Sequence, residues 1–188
     1  MKLAIYDAAE NSPVGWSWAT GAKLYKAMGY FQHVVAAHSW DDGLRRVNDL
    51  TSRYRINEIQ FWGHGSPGKV FVAGKWLDVD GAHKIPLTRL GSSLEPNSFV
   101  WLRTCASFAG VPGRTLATEL VSMLNARVAG STFNIGFPWH SGQHSLRPNA
   151  VPAWPITEGL DVKGQPMGSA KKSPHTVPFA AMSLPDAW

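Results

Sequence analysis

Short apolar runs alternate with longer segments of helical periodicity along most of the chain. β-branched and aromatic runs predict strands at 3–6, 31–37, 59–62, 99–102 and 127–129, and a small hairpin at 69–77. Apolar residues at helical spacing predict helices at 16–28, 40–54, 81–93 and 114–126. Strands separated by helices of this length are typical of βαβ units, which place a mostly parallel sheet between helices. We therefore predict an α/β fold with a mostly parallel central sheet flanked by helices.

The pattern changes after about residue 131. Residues 137–188 hold eight of the 13 prolines and no long periodic run, which excludes a regular helix or a central strand over most of this segment. Four large aromatic residues within it favour docking onto the rest of the protein: Trp139, Trp154, Phe179 and Trp188. We predict a domain over 1–135 and a proline-rich extension over 136–188 that packs on the same domain.

Composition narrows the class of protein. With 188 residues, 44% hydrophobic and 16% charged, the chain is long enough to bury one substantial core. The net charge of +5 is spread without a dense basic stripe, so we expect no nucleic-acid partner. The apolar run at the N-terminus is too short for a signal peptide, and no run approaches the roughly 20 residues of a membrane span. We expect a cytoplasmic protein without a membrane partner.

Two of the predicted strands end in residues that can carry chemistry. His64 and Gly65 follow the strand at 59–62, and Cys105, the only cysteine, follows the strand at 99–102. If these strands are parallel neighbours, their carboxyl ends bring a thiol and an imidazole to the same edge of the sheet. A nearby imidazole helps to generate the thiolate nucleophile. The N–H groups of Gly65 and Cys105 could stabilise the oxyanion of an acyl-transfer intermediate.

The order and spacing of these motifs resemble the caspase-like cysteine peptidases (clan CD), which include caspases, metacaspases, legumains and clostripain-like enzymes. The similarity covers roughly residues 1–135: a strand ending in His64-Gly65, a small hairpin, a strand ending in Cys105-Ala106 and a helix at 114–126. The resemblance implies a caspase-like three-layer sandwich that acts as a cysteine endopeptidase. It further implies His64 and Cys105 as the catalytic dyad and the N–H groups of Gly65 and Cys105 as oxyanion donors. The substrate would be a protein or peptide, and neither a cofactor nor a metal would be required.

The resemblance also suggests a specificity pocket. In such enzymes the residue two positions before the cysteine commonly lines the pocket for the side chain that precedes the cleaved bond, and this chain has Arg103 there. A guanidinium in that pocket would favour an acidic side chain and repel Lys or Arg. Asp7, after the first strand, could pair with Arg103 or bind a basic side chain itself. A structural ion pair involving Arg103 is the competing interpretation.

Other chemistries find less support in the sequence. His140 and His144 have the spacing of an H-x3-H zinc pair, but the segment contains Gly and follows Phe137-Pro138, which disfavours a helix. No serine lies in a G-x-S-x-G motif, and no phosphate-binding glycine loop is present. Two alternatives to an active endopeptidase stay open: a catalytically inactive binding or effector module on the same fold, and a self-processing protease domain.

Overall fold

The structure is a computed structural model that describes residues 1–186 and 188. Four helices form in this part of the chain: α1 (Pro13–Ala27), α2 (Trp40–Thr51), α3 (Lys84–Gly91) and α4 (Gly110–Leu124). The strands of the main sheet are β1 (Lys2–Asp7), β2 (His33–Ala37), β3 (Ile56–Trp62), β7 (Leu94–Arg103), β8 (Arg127–Ser131) and β10 (Gln143–Leu146). The smaller strands are β4 (His64–Ser66), β5 (Lys69–Val72), β6 (Lys75–Trp76), β9 (Trp139–His140) and β11 (Val177–Pro178).

The main sheet has the strand order β10-β8-β7-β3-β1-β2. All neighbours pair in parallel except β10, which runs antiparallel to β8 at one edge. The strands β3 and β7 are direct neighbours in the middle of the sheet, and Trp62 is in register with Arg103. The predicted fold class, an α/β sandwich with a mostly parallel central sheet flanked by helices, is therefore confirmed.

Alternate residues of the central strands face opposite sides of the sheet and enter different cores. On one face the sheet packs against α2, α3 and α4, and Val100 and Leu102 of β7 point into that core. The other face is covered by α1 and by the C-terminal segment, so Trp101, one position along, packs with Val177 and Leu184 instead. This alternation follows from the two-residue period of a strand. The same alternation places the side chain of Arg103 on the same face of the sheet as that of Trp101.

Local sequence explains most element boundaries. Ser39 caps α2 by accepting a hydrogen bond from the Asp42 N–H (3.1 Å). Ala73 and Gly74 both have positive φ (53° and 71°) and join β5 to β6, which matches a tight hairpin turn. The hairpin is larger than predicted, because His64–Ser66 forms an additional strand, β4, that pairs with β5. Helix α4 begins at Gly110 rather than at 114, after the extended backbone of Ala109.

The segment after residue 135 is built into the fold. Strand β10 extends the main sheet, and Trp154 is buried in the core with its ring stacked on Phe108 (5.4 Å between ring centroids). The division into domains at residue 135 stays a prediction. Among the described residues, none of the helices combines the length and apolar character that crossing a membrane requires.

Residues 177–184, here called the C-terminal strap, lie across the sheet next to α1. Strand β11 of the strap pairs with β9. Four consecutive strap carbonyls accept hydrogen bonds from side chains of the underlying face. The contacts are Arg103 to Phe179 (2.5 Å), Tyr25 to Ala180 (3.0 Å), Arg103 to Ala181 (2.7 Å), and Tyr30 (2.5 Å) and Gln60 (2.9 Å) to Met182. The strap is thus fastened by backbone hydrogen bonds in addition to the buried side chains of Val177 and Leu184.

Candidate active site

His64 is held by a carboxylate that the sequence interpretation missed. Its Nε2 lies 2.9 Å from Oε2 of Glu10, in the loop between β1 and α1, and its side chain is half exposed. The ring of Trp18 from α1 stands edge-on to the imidazole, with 5.0 Å between centroids. Contacts with Ser12 and His64 lower the pKa of the Glu10 carboxyl, so it is ionised at neutral pH. The carboxylate therefore favours the tautomer with hydrogen on Nε2, which leaves Nδ1 as the free base.

Cys105 follows β7 and is partly buried. Its Sγ lies 3.8 Å from the carbonyl oxygen of Ile135, and burial raises the pKa of the thiol. In the free protein the group is therefore a thiol rather than a thiolate at neutral pH. Its backbone N–H has no hydrogen-bond partner within residues 1–186 and 188. The next residue, Ala106, is fully buried in a left-handed conformation (φ 46°), which fixes a sharp turn directly after the cysteine.

Gly65 is required by the close approach of two chain segments. A Cβ at this position would lie 2.5 Å from the carbonyl oxygen of Cys105 and 2.8 Å from Cβ of Thr104. Only a residue without a side chain lets the histidine-bearing strand contact the backbone of the cysteine turn this closely. The glycine after His64 thus permits the close approach of the two segments that carry His64 and Cys105.

His64 and Cys105 line the same cavity of about 420 Å³ at the carboxyl edge of the sheet. Exposed apolar side chains also line it, including Val14 and Phe137, which are 48% and 88% exposed. The predicted specificity residue, Arg103, is a third member of the lining. The cavity is therefore lined by three side chains that the sequence predicted for the site: those of Cys105, His64 and Arg103.

Arg103 is a nearly buried cation, 5% exposed. Its guanidinium lies between the rings of Trp62 and Trp101, 4.6 and 4.5 Å from their centroids, in cation–π contact. Burial lowers its pKa to about 10, which still leaves the group charged at neutral pH. Besides the two strap carbonyls, it donates to Oε1 of Gln60 at 3.2 Å. No carboxylate forms an ion pair with it among the residues that the structure describes.

Asp7 lies outside the cavity lining that contains His64, Cys105 and Arg103. Its carboxylate accepts hydrogen bonds from the N–H groups of Ala9 (3.0 Å) and Ala73 (3.1 Å), and it is 3% exposed. It does not line the cavity, and it makes no ion pair with Arg103 within the described part of the chain. Its contacts tie the loop after β1 to the hairpin turn, which is a structural role.

The two histidines of the H-x3-H motif lie in different surroundings. His140, in β9, is a buried member of the cavity lining. His144, in β10, contacts Glu158 (Nε2 to Oε1, 2.6 Å) and stacks on Trp154. Over the described ranges, no group of three or more His, Cys, Asp or Glu side chains could hold a metal ion.

The fold and the site define a class of protein: an α/β sandwich that presents a thiol and an imidazole in one cavity at the carboxyl edge of a parallel sheet. Within that class, the chain belongs to the family described as "Domain of unknown function (DUF4347)", whose family model matches residues 19–153. The match includes His64, Arg103 and Cys105, whereas Glu10 and the C-terminal strap lie outside it.

Among solved structures, the chain is similar to a secreted C11 cysteine protease from Bacteroides thetaiotaomicron in complex with an irreversible peptide inhibitor. The sequences are 14% identical, the TM-score is 0.42, and the similarity covers 71% of this chain and 49% of that one. The chain therefore spans about half the length of that protease. No curated protein matches the chain.

Proposed function

We propose that this protein is a cysteine endopeptidase of caspase-like type. The observation that carries the proposal is the placement of His64 and Cys105 in the lining of one cavity, on the adjoining ends of neighbouring parallel strands. The unpaired N–H of Cys105 supports it further, because a free backbone donor beside the nucleophile is what an oxyanion intermediate needs.

The proposed reaction starts from a neutral thiol. As the peptide binds, His64 takes the Sγ proton of Cys105, and Sγ attacks the scissile carbonyl carbon to form a tetrahedral oxyanion. The N–H groups of Cys105 and Gly65 donate to that oxyanion. The C–N bond then breaks, and the imidazolium returns its proton to the leaving amine, which leaves an acyl-enzyme. Water, deprotonated by His64, attacks the thioester carbon; the C–S bond then breaks, the carboxylic acid product leaves, and the imidazolium returns the proton to Sγ.

Glu10 has a positioning role in this scheme. Because the Glu10 carboxylate is bound to Nε2 of His64, Nδ1 is the nitrogen that would take the thiol proton, and the negative charge would stabilise the imidazolium that forms. This adds a third member to the predicted dyad without changing the roles of the other two.

The proposed preference is for an acidic side chain before the cleaved bond. Arg103 is the cation of the cavity lining, and among the described lining residues there is no carboxylate to offset it. Bringing a Lys or Arg side chain beside a desolvated guanidinium is costly, whereas a carboxylate compensates its charge. Arg103 has five N–H groups, and three of them bind Gln60 and the two strap carbonyls. Two N–H groups are left for a ligand.

Active-site labelling tests the proposal. A peptidyl acyloxymethyl ketone with Asp in the position before the ketone should form one adduct, located at Cys105 by mass spectrometry. The Cys105→Ala variant should form none, and His64→Ala should react far more slowly. The exposed His38, outside the cavity, offers a matched control, and His38→Ala should react like the wild type.

Peptide-library cleavage completes the test. Cleavage lost in Cys105→Ala and retained in His38→Ala supports the peptidase. Labelling no faster than that of free cysteine, with no peptide cleaved, would favour the inactive binding module. A shortened mass of the purified wild-type chain that is absent from Cys105→Ala would identify the self-processing alternative.

A further inference from the structure

The cavity wall contains a histidine whose hydrogen-bonding capacity is unused. His140 is 1% exposed, and neither ring nitrogen has a hydrogen-bond partner among residues 1–186 and 188. The rings of Trp101 and Phe179 stand edge-on to it, at 6.4 and 4.9 Å between centroids. Leaving a buried polar group unpaired is unfavourable, and an apolar ring would fill the same space without that cost. The two ring nitrogens of His140 therefore point to a hydrogen-bond partner that belongs to a bound ligand.

The surroundings keep this imidazole neutral. Burial, and secondarily the charge of Arg103, hold the pKa of His140 well below its ordinary value. A neutral imidazole offers one N–H donor and one acceptor nitrogen. His140 thus places a donor in the cavity wall without adding a second positive charge to that of Arg103.

Arg103 alone cannot satisfy a bound carboxylate. Three of its N–H groups are engaged by Gln60 and by the carbonyls of Phe179 and Ala181. A desolvated carboxylate accepts up to about four hydrogen bonds, which is more than the two remaining guanidinium donors supply. His140 and Arg103 both line the cavity, so the unpaired imidazole is a suitable additional donor.

We propose that His140 is a specificity-determining residue: its ring N–H donates to the carboxylate of an acidic substrate side chain that pairs with Arg103 in this cavity. The inference rests on the proposed function, which supplies the peptide substrate. It extends that function by assigning the choice between a carboxylate and its carboxamide isostere to a residue that lies outside the predicted site.

The variant His140→Phe tests the inference, because it removes both nitrogens and keeps a ring of similar shape. Two fluorogenic peptides are compared that differ only in Asp or Asn before the cleaved bond. We expect kcat/KM for the Asp peptide to fall by about tenfold or more and kcat/KM for the Asn peptide to fall less, because an N–H bond to a charged carboxylate is stronger than one to a carboxamide. The melting temperature should be unchanged or raised, since an unpaired buried group is lost.

Two further variants keep the test decisive. His140→Gln retains an N–H donor and should keep part of the preference for Asp. His33→Phe makes the same exchange on β2, outside the cavity, and should leave the Asp-to-Asn ratio at its wild-type value. The inference is overturned if His140→Phe keeps that ratio, or if the wild type prefers Asn.

A binding arm separates this inference from the proposed function. Calorimetry with Cys105→Ala measures the affinity for the same two peptides without cleavage. If the wild type cleaves no peptide but Cys105→Ala prefers the Asp peptide, and the added His140→Phe change abolishes that preference, the peptidase fails and the inference stands. If cleavage proceeds with a ratio that His140→Phe leaves intact, the peptidase stands and the inference fails.

Discussion

Replacing Gly65 by alanine should damage both the fold and the proposed chemistry, by an amount that the local geometry sets. The new Cβ would lie 2.5 Å from the carbonyl oxygen of Cys105, and 2.8 and 2.9 Å from Cβ and Oγ1 of Thr104. The carbonyl oxygen of Cys105 and Cβ of Thr104 can move only if the backbone of the cysteine turn moves with them. Overpacking of this kind costs about 1–3 kcal/mol of unfolding free energy.

The same displacement should reduce catalysis more than stability. Relieving a 2.5 Å contact requires the turn that carries Cys105 to move by several tenths of an ångström or more. A misplacement of about 1 Å can cost about 100-fold in rate. We therefore expect kcat/KM for an Asp peptide to fall by about 10- to 100-fold, and alkylation of Cys105 by a peptidyl ketone to slow in parallel.

Urea denaturation and peptide cleavage measure the two effects separately. Gly168→Ala is a matched control, because a Cβ there meets nothing within 4 Å and the backbone φ is not in the left-handed region. It should leave stability and kcat/KM at their wild-type values. If Gly65→Ala behaved like this control in both measurements, the close contact between the His64 strand and the Cys105 turn would not be essential to the site.

Three further predictions follow from individual contacts. Glu10→Gln keeps a hydrogen-bond acceptor for His64 but removes the charge, and should lower kcat by about threefold to tenfold. Glu10→Ala removes the acceptor as well and should lower kcat further. The control Glu95→Gln, at a pair with Arg55 away from the site, should leave kcat unchanged. Because burial raises the pKa of Cys105, the rate of its alkylation by iodoacetamide in the free protein should rise with pH at a higher midpoint than that of free cysteine; a lower midpoint would indicate a preformed thiolate. Tyr30→Phe removes the hydroxyl that contacts both the Met182 carbonyl and the Glu58 carboxylate, and should cost about 1–3 kcal/mol of unfolding free energy in urea denaturation; an unchanged value would show that neither contact adds to stability.

The parts of the site that lie at the ends of strands could be predicted from the sequence pattern. The apolar runs at 59–62 and 99–102 indicated buried strands, and neighbouring parallel strands necessarily end at one edge, so the meeting of His64 and Cys105 followed from topology. The hairpin after His64 was also visible, although its first strand was not. Here the local signal and the tertiary structure agree.

The parts carried by loops were not predictable. Glu10 is a polar residue in a connection, and nothing in its sequence neighbours distinguishes it from a solvated side chain. His140 belongs to a short strand whose partner, Val177, is 37 positions away in the chain, so its burial has no local signature. The contact between Asp7 and the backbone N–H of Ala73 was not predictable for a related reason, since Ala73 lies on a hairpin that is distant in the chain.

The strap explains why Arg103 has two functions that mutation cannot separate. Its charge is the proposed determinant of substrate preference, and the same guanidinium holds the carbonyls of Phe179 and Ala181. Replacing it would loosen the strap, including Phe179 in the cavity wall, and a loss of activity would not distinguish a missing charge from a displaced wall. The charge is better tested from the substrate side, by comparing Asp, Asn and Lys before the cleaved bond against an unaltered protein. On this reasoning, cleavage after Lys with none after Asp would refute the acidic preference while leaving the structural role of Arg103 intact.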